Sequence, residues 1–338
     1  MPEPRQPVDY VTADVGNSAF QAAPTAAPGL AQQEVDRSAL LAAREGMPIE
    51  ARSQFRMALD RFLHHRIALF GICVFALFVL VSVVGQHLWH YKYTDILPGT
   101  GNVTFQPPSL AHPLGTDGIG HDMFAQVMHA TATSLQTAVL VAVLSTIVGT
   151  LIGALAGYYG KWADAALMRF TDLVLVVPAI ALLLVLANGV ASVANSWFAI
   201  ALVLSALFWT YLARLVRGAF LGLREREFVE AEWAIGASDR RIILRHLIPN
   251  AAGPIVVNAT LTLGQAMLVE AALSFLGLGI SPPNVSLGLL ISQGEGDASV
   301  FPWLFYGPAA VLVIIILCVN FIGDGLRDAL DPTQRVRT

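Results

Sequence analysis

Glu230-Ala231-Glu232-Trp233-Ala234-Ile235-Gly236-Ala237-Ser238, and then Arg245-His246-Leu247-Ile248-Pro249-Asn250, is the stretch on which the fold turns. It is charged and amphipathic, yet it sits between two stretches without a charge, 173–213 and 247–269. The pattern predicts a short helix over 227–235, a turn at Gly236 and a second helix over 239–247, with Pro249 opening the next apolar stretch or just preceding it. Two short rigid helices that meet at a glycine can pass force into whatever they join. Read that way, the block is a docking element and implies a partner. Read as an ordinary loop, it only carries basic charge between two apolar stretches.

Those apolar stretches dominate the chain. Hydrophobic residues make up 55% of 338 positions, charged ones 13%, and the mean hydropathy is +0.63, far from the balance of a soluble domain. A bilayer span needs roughly 20 mostly apolar residues. Uncharged runs of that size cover 67–85, 123–160, 173–213, 247–269 and 298–323. The third holds 41 residues and has turn signals at Asn188-Gly189 and Asn195-Ser196, so it divides into two spans and the total is six. Lys and Arg gather in short cytoplasmic loops. With the N-terminus inside, nineteen of the twenty fall on the cytoplasmic side and only Lys92 outside. Both termini are thus expected in the cytoplasm, in an all-α membrane domain over 61–338 with an external loop at 86–130 and a cytoplasmic loop at 224–250.

Residues 1–60 read as a cytoplasmic tail. Positions 1–50 hold no apolar core long enough for a cleavable signal peptide, and the more helical pattern of 36–66, with Leu40, Leu41, Ile49, Phe55, Leu59 and Phe62 among charges, predicts a surface helix leading into the first span. Gly149, Gly153 and Gly157 lie four apart on one helical face, where missing side chains let another helix come close. Pro178 interrupts the third span. Cys73 and Cys318 lie inside predicted spans and suggest neither a disulfide nor a metal site. Gly160-Lys161 lacks the residues of a phosphate-binding loop, so no nucleotide site is expected in this chain.

Three groups of polar residues inside the spans or at their edge have two readings each. Glu270 is the one carboxylate deep in a span, a functional candidate by default because its burial is costly. On a straight helix it shares a stripe with Ala259, Ala266 and Gly277, which suits a paired structural residue. Asn258, Thr262, Gln265 and Val269 form a polar, uncharged stripe, either the lining of a pathway or a set of helix-to-helix hydrogen bonds. Arg169 and Asp172 are three apart, close enough to pair on one helical face, as a structural ion pair or a proton relay.

The 230–250 block resembles the EAA loop of permease subunits of ATP-binding-cassette (ABC) importers, where Glu-Ala-Ala is followed after three residues by Gly and later by a Pro that opens a span. Glu230, Ala231, Gly236 and Pro249 occupy the matching positions, and Glu232 stands where Ala is usual. Over residues 60–332 the chain is further similar to the C-type permease subunit of dipeptide and oligopeptide importers. The similar segments are His-Pro-Leu-Gly-Thr-Asp at 112–117, Met-Arg-Phe-Thr-Asp at 168–172, Leu-Ser-Phe-Leu-Gly-Leu-Gly at 273–279 with Pro282-Pro283, and Gly-Asp-Gly-Leu-Arg-Asp-Ala-Leu-Asp-Pro at 323–332.

This resemblance implies a six-span type I ABC importer permease of the bacterial inner membrane with no catalytic residue of its own. It would couple through Glu230, Ala231, Glu232, Gly236, Ala237 and Pro249 to one of two cytoplasmic ATPases that bind the ATP and magnesium. A second homologous permease and an extracytoplasmic peptide-binding protein would complete the assembly, with membrane lipid around it and no nucleic acid. Asn258, Thr262 and Gln265 would line the pathway, moved by alternating access. Segment 323–332 would stop the last helix at the interface or touch a partner. Nickel permeases resemble the same family, which draws attention to His112, His121, Asp122 and His129. Their spacing fits no strong ligand motif, and no metal is expected there. Rival readings are a permease for nickel, glutathione or another small solute, and a self-sufficient secondary transporter, which would show more protonatable residues at the bundle centre.

Overall fold

The computed structural model describes residues 54–97, 103–178 and 196–330. Apart from two isolated β-bridges, the regular structure of these residues is helical. Helix α1, Gln54–His64, carries the end of the segment expected to form a surface helix, whose earlier part lies outside the described residues. His65 ends it and caps the next helix, its Nδ1 accepting the Ala68 amide at 3.1 Å, so the chain turns into α2, Arg66–Leu88. The other long helices are α3, Met123–Tyr159; α4, Lys161–Val176; α5, Trp197–Arg224; α9, Ala252–Phe275; and α11, Pro302–Leu330. Between them stand the short helices α6, Glu227–Ala234; α7, Asp239–Arg241; α8, Ile248–Asn250; and α10, Leu287–Glu295.

Among the described residues five helices, α2, α3, α5, α9 and α11, are long and apolar enough to cross a membrane. The remaining expected span, third in chain order, begins within α4, which stops at Val176. Val177 is pushed into an extended conformation, φ −70° and ψ 117°, as the residue before a proline is. Residues 179–195 lie outside the described residues. The segment between α2 and α3 runs over 89–122, because α3 already starts at Met123, within the stretch expected as external loop up to 130.

The glycine stripe of α3 does what its spacing predicts. A Cβ on Gly149 would stand 2.7 Å from the Trp209 carbonyl oxygen, one on Gly153 2.4 Å from that of Ala213, and one on Gly157 2.6 Å from the Phe220 Cβ. The three contacts climb α5 in step with α3, so the two helices run parallel with their backbones nearly touching. Helix α11 packs antiparallel on α2 and α9 with the same device: Gly71 meets Cys318 and Phe321, Gly325 meets Ala68, and Gly264 meets Val319 and Asn320.

Two apolar cores result. The larger includes Met123, Val127, Leu135, Leu204, Met267, Leu287, Leu304 and Ile315. The smaller is at the opposite end, where α3 and α5 finish, and joins Tyr158, Leu212, Val216 and Phe220 to Val229, Ile242, Leu247, Ala251 and Ile255. This second end is called the basic end below, because Lys161, Arg224, Arg226, Arg240, Arg241 and Arg245 gather there.

Candidate functional site

The basic-end core exists to seat the loop between α5 and α9. Val229 from α6, and Ile242 and Leu247 from the second helical run, are fully buried against Phe220, Val216 and Tyr158. Helix α6 ends in a paired turn: the Ala237 amide donates to the Glu232 carbonyl at 3.0 Å and the Gly236 amide to that of Trp233 at 3.0 Å. This is a Schellman motif, and Gly236 takes its left-handed position at φ +76°, where a side chain is disfavoured. Nothing lies within 4 Å of the place a Cβ would occupy, so the requirement for glycine is conformational and not steric.

The second run begins at Asp239, widens into a π-helical stretch over Ile242–Leu247, and closes as α8, Ile248–Asn250, with Pro249 in its first turn. A proline ring clashes with the carbonyl four residues back and removes an amide donor. The wide turn just before Pro249 takes up that misfit. Pro249 therefore precedes the next span, which starts at Ala252.

One side chain of the bundle holds both parts of the loop. The Tyr158 hydroxyl donates to Asp239 Oδ1 at 2.7 Å and accepts from Trp233 Nε1 at 3.2 Å, while Arg224 Nη1 donates to the Tyr158 carbonyl at 2.8 Å. Tyr158 is itself 5% exposed. Sequence reasoning missed this clamp because its partners are 75 and 81 positions away, and no local pattern marks them.

Glu232, the departure from the usual Ala, turns inward. Its Oε1 stands 3.2 Å from His246 Nε2, with the side chains 18% and 27% exposed, though without the alignment of a hydrogen bond. It therefore faces the neighbouring turn of the same loop. Glu230, Ala231 and Gly236 are exposed, Ala237 is half-buried and Pro249 is exposed. Around them Phe228, Trp233, Ile235 and Leu244 stay exposed as well, as do Arg226, Arg240, Arg241 and Arg245, so the loop's outer face mixes apolar, acidic and basic side chains while its inner face is built into the bundle.

The other candidates are sorted by tertiary contacts. Asp172 does not pair with Arg169. Its carboxylate accepts from Arg214 Nη2 of α5 at 2.5 Å, because the partner helix brings a guanidinium closer than the helix's own turn does. Two turns earlier on α4, before the apolar stretch that begins at 173, Asp164 is gripped by both Nε and Nη2 of Arg217. That guanidinium holds the Asp164 carboxyl below the usual range, against the upward push of burial.

Glu270 is fully buried and its partners are hydroxyls: Ser134 Oγ donates at 3.0 Å and Ser274 Oγ at 2.7 Å. The serines continue the network, Ser134 accepting the Leu287 amide and Ser274 the Ile280 amide, each at 3.2 Å. Glu270 thus knots α3, α9 and the start of α10, the structural one of its two readings. Gly277 is not on its stripe, since α9 ends at Phe275 and Gly277 is a left-handed turn residue at φ +75°.

The pathway stripe divides. Asn258 and Thr262 are buried at 8% and 7%, whereas Gln265 is exposed. The Thr262 hydroxyl donates to the Asn258 carbonyl at 2.9 Å, and Asn258 Oδ1 has no hydrogen-bond partner among the described residues. The histidines of the 89–122 segment and α3 are drawn to separate partners. His112 Nδ1 is 2.6 Å from Asp122, which also caps α3 through the Ala125 amide; His121 Nδ1 is 2.7 Å from Asp117; and His129 stacks on Tyr93 at 3.7 Å.

A bundle of apolar helices packed through glycine, with a helix-turn-helix loop seated in its basic end, defines the class: a multi-span helical permease. The fold matches an inward-facing methionine ABC transporter, MetNI, at a TM-score of 0.51 and 21% identity, covering 62% of this chain and 98% of that one. Residues 149–336 match the family profile of the binding-protein-dependent transport system inner membrane component, and 53–108 that of the N-terminal TM domain of oligopeptide transport permease C. The chain is 41% identical over 286 residues to the oligopeptide transport system permease protein OppC of Mycobacterium bovis, covering 85% of this chain and 97% of that one. It is 42% identical over 276 residues to a putative peptide permease protein of Brucella suis, covering 81% and 89%. To the dipeptide transport system permease protein DppC of Alkalihalophilus pseudofirmus it is 36% identical over 286 residues, covering 84% and 92%. The chain belongs to the family of binding-protein-dependent transport system inner membrane components.

Proposed function

We propose that this chain is one permease of an ATP-driven importer for di- and oligopeptides, forming half of the translocation pathway. The observation that carries the reading is the loop at 224–250. Its inner face is built into the bundle at Val229, Tyr158 and Leu247, and its outer face, with Glu230, Ala231, Ile235 and Gly236, is open to a partner. A cytoplasmic ATPase docks on that face, a second ATPase serves a homologous partner permease, and an extracytoplasmic binding protein delivers the peptide. ATP and magnesium belong to the ATPases, and this chain supplies no catalytic group. The N- and C-termini lie in the cytoplasm with the basic end, as the distribution of Lys and Arg favours. Nucleotide-driven closure of the ATPases moves the loop as a rigid unit, and Tyr158 hands that motion to α3. The polar stripe of Asn258, Thr262 and Gln265 lies on the pathway.

The test is affinity purification of the tagged chain from its native membrane in mild detergent, followed by ATP hydrolysis and uptake assays on the reconstituted eluate. ATPases that co-purify, and are lost when Glu230 and Gly236 are both substituted, are the expected result, together with ATP-dependent uptake of a labelled peptide in preference to nickel or glutathione. A chain that purifies alone and transports without ATP is a secondary transporter and ends the reading.

A further inference from the structure

The outer face of the 224–250 loop carries its charges in two groups of opposite sign. On α6 the exposed stripe, turned away from the buried Val229, is Glu227, Glu230, Ala231 and Ala234 at helical spacing. On the second run, turned away from the buried Ile242 and Leu247, the exposed side chains are Arg240, Arg241, Leu244 and Arg245. None of these charges forms an ion pair among the described residues. The bundle satisfies its own bases at the same end: Arg214 reaches Asp172, Arg217 grips Asp164 and Arg224 donates to the Tyr158 carbonyl. Asp239, the acid beside the loop's arginines, is committed to the Tyr158 hydroxyl, and Arg226 stands before α6 as its N-cap. Between the two groups in the chain are Trp233 and Ile235, 44% and 75% exposed. Apolar anchors with charge around them are the anatomy of a protein interface.

We propose that the polarity of this face selects the ATPase that docks on it. The groove that receives the loop is apolar where it meets Trp233 and Ile235, basic where it meets Glu227 and Glu230, and acidic where it meets Arg240, Arg241 and Arg245. The inference rests on the importer reading and adds to it which ATPase this chain accepts and which way round. Matched charges at the rim of an interface add little affinity, whereas like charges set opposite each other are costly. The pattern therefore works chiefly by rejecting a groove of the wrong polarity, such as one suited to the loop of the partner permease. An anionic membrane surface would attract the arginines but repel Glu227 and Glu230 on the same outer face.

The experiment uses the tagged chain in its complete importer, purified from native membrane in mild detergent. A photo-crosslinking amino acid in place of Leu244, between Arg241 and Arg245, is expected to capture an ATPase segment that contains Asp or Glu. The fourfold variant Glu227→Arg, Glu230→Arg, Arg241→Glu and Arg245→Glu keeps the net charge of the loop and reverses its polarity. Retained ATPase should fall about tenfold in it, the scale of a few exposed ion pairs. Co-purified partner permease at the wild-type level shows that a variant is folded. The double variant Arg241→Glu and Arg245→Glu leaves α6 untouched and carries the test if the fourfold one does not assemble. Changing the captured acids of the ATPase to Lys should restore its retention by the double variant and weaken its retention by wild type. Undiminished retention in the reversed variants, a captured segment without acids, or failure of the rescue overturns the proposal. So does capture of an anionic phospholipid at Leu244 in place of the ATPase. A wild-type chain that retains no ATPase at all instead sinks the importer reading itself.

Discussion

Gly236 and Tyr158 give the 224–250 loop its shape, and only one of them is visible in the sequence. Gly236 is legible because a glycine after a short amphipathic helix is the usual mark of a left-handed cap. Its replacement by Ala is expected to cost the loop about 1 kcal/mol of conformational strain and to reduce the ATPase retained in affinity purification; full retention would show that the turn tolerates a side chain. Tyr158 is invisible because its partners come from a distant part of the chain. Tyr158→Phe keeps the buried ring and removes the hydroxyl that holds Asp239 and Trp233. With each hydrogen bond contributing about 0.5–1.5 kcal/mol, amide exchange over 227–241 is expected to speed up severalfold while the thermal midpoint of the whole chain barely moves. An unchanged exchange rate would mean the loop is held by Val229, Ile242 and Leu247 alone. Glu232 makes the same point from the other side: its position in the sequence allows contact with a partner or with the neighbouring turn, and the fold turns it toward His246.

Among the elements, α3 and α5 form the frame and α4 is fastened to it by charge. The frame was legible, since three glycines four apart have few uses other than close helix packing. Gly153→Leu would drive a side chain into the Ala213 carbonyl, 2.4 Å from the first added carbon, and is expected to abolish recovery of folded protein in detergent. Gly218→Ala, with nothing within 4 Å of the added carbon, should be recovered as well as wild type, which separates packing from a general intolerance of change. The fastening of α4 was not legible, because Asp172 finds Arg214 and Asp164 finds Arg217 across helices. The Asp164 carboxyl is lowered in the folded chain by Arg217, so the stability it lends is complete above the ordinary aspartate value and is lost as pH falls from there through the lowered one. In acid titration of thermal stability, Asp164→Asn should therefore lose less than wild type over that interval; parallel curves would show that the pair contributes nothing.

For the whole molecule, orientation has a direct measurement. The arrangement of nineteen of the twenty Lys and Arg on one side of the expected spans predicts the 224–250 loop inside and the 89–122 segment outside. Single cysteines introduced at Trp233 and at Leu110, in a chain where Cys73 and Cys318 have become Ser, should react with an impermeant maleimide in opposite membrane preparations. Leu110 is expected to label in intact cells and Trp233 only in inverted vesicles. The reverse pattern would invert the assignment of every loop. A wide apolar surface remains on the single chain, including Val143, Ile147, Leu151 and Leu155 of α3, as expected of a bundle that spans a membrane.

The amino-acid sequence by itself determined the helical class, the five spans that the described residues carry, the glycine face of α3 and the place and shape of the 224–250 loop. Each of these is written in local periodicity, in charge, or in residues that only one backbone conformation admits. Tertiary structure decided who pairs with whom: Tyr158 with both helices of the loop, Asp172 with Arg214, and Glu270 with two serines. Those contacts depend on which faces of distant helices meet. Once the backbones touch at glycine, that choice follows from the packing of the whole bundle, which no short window of sequence records.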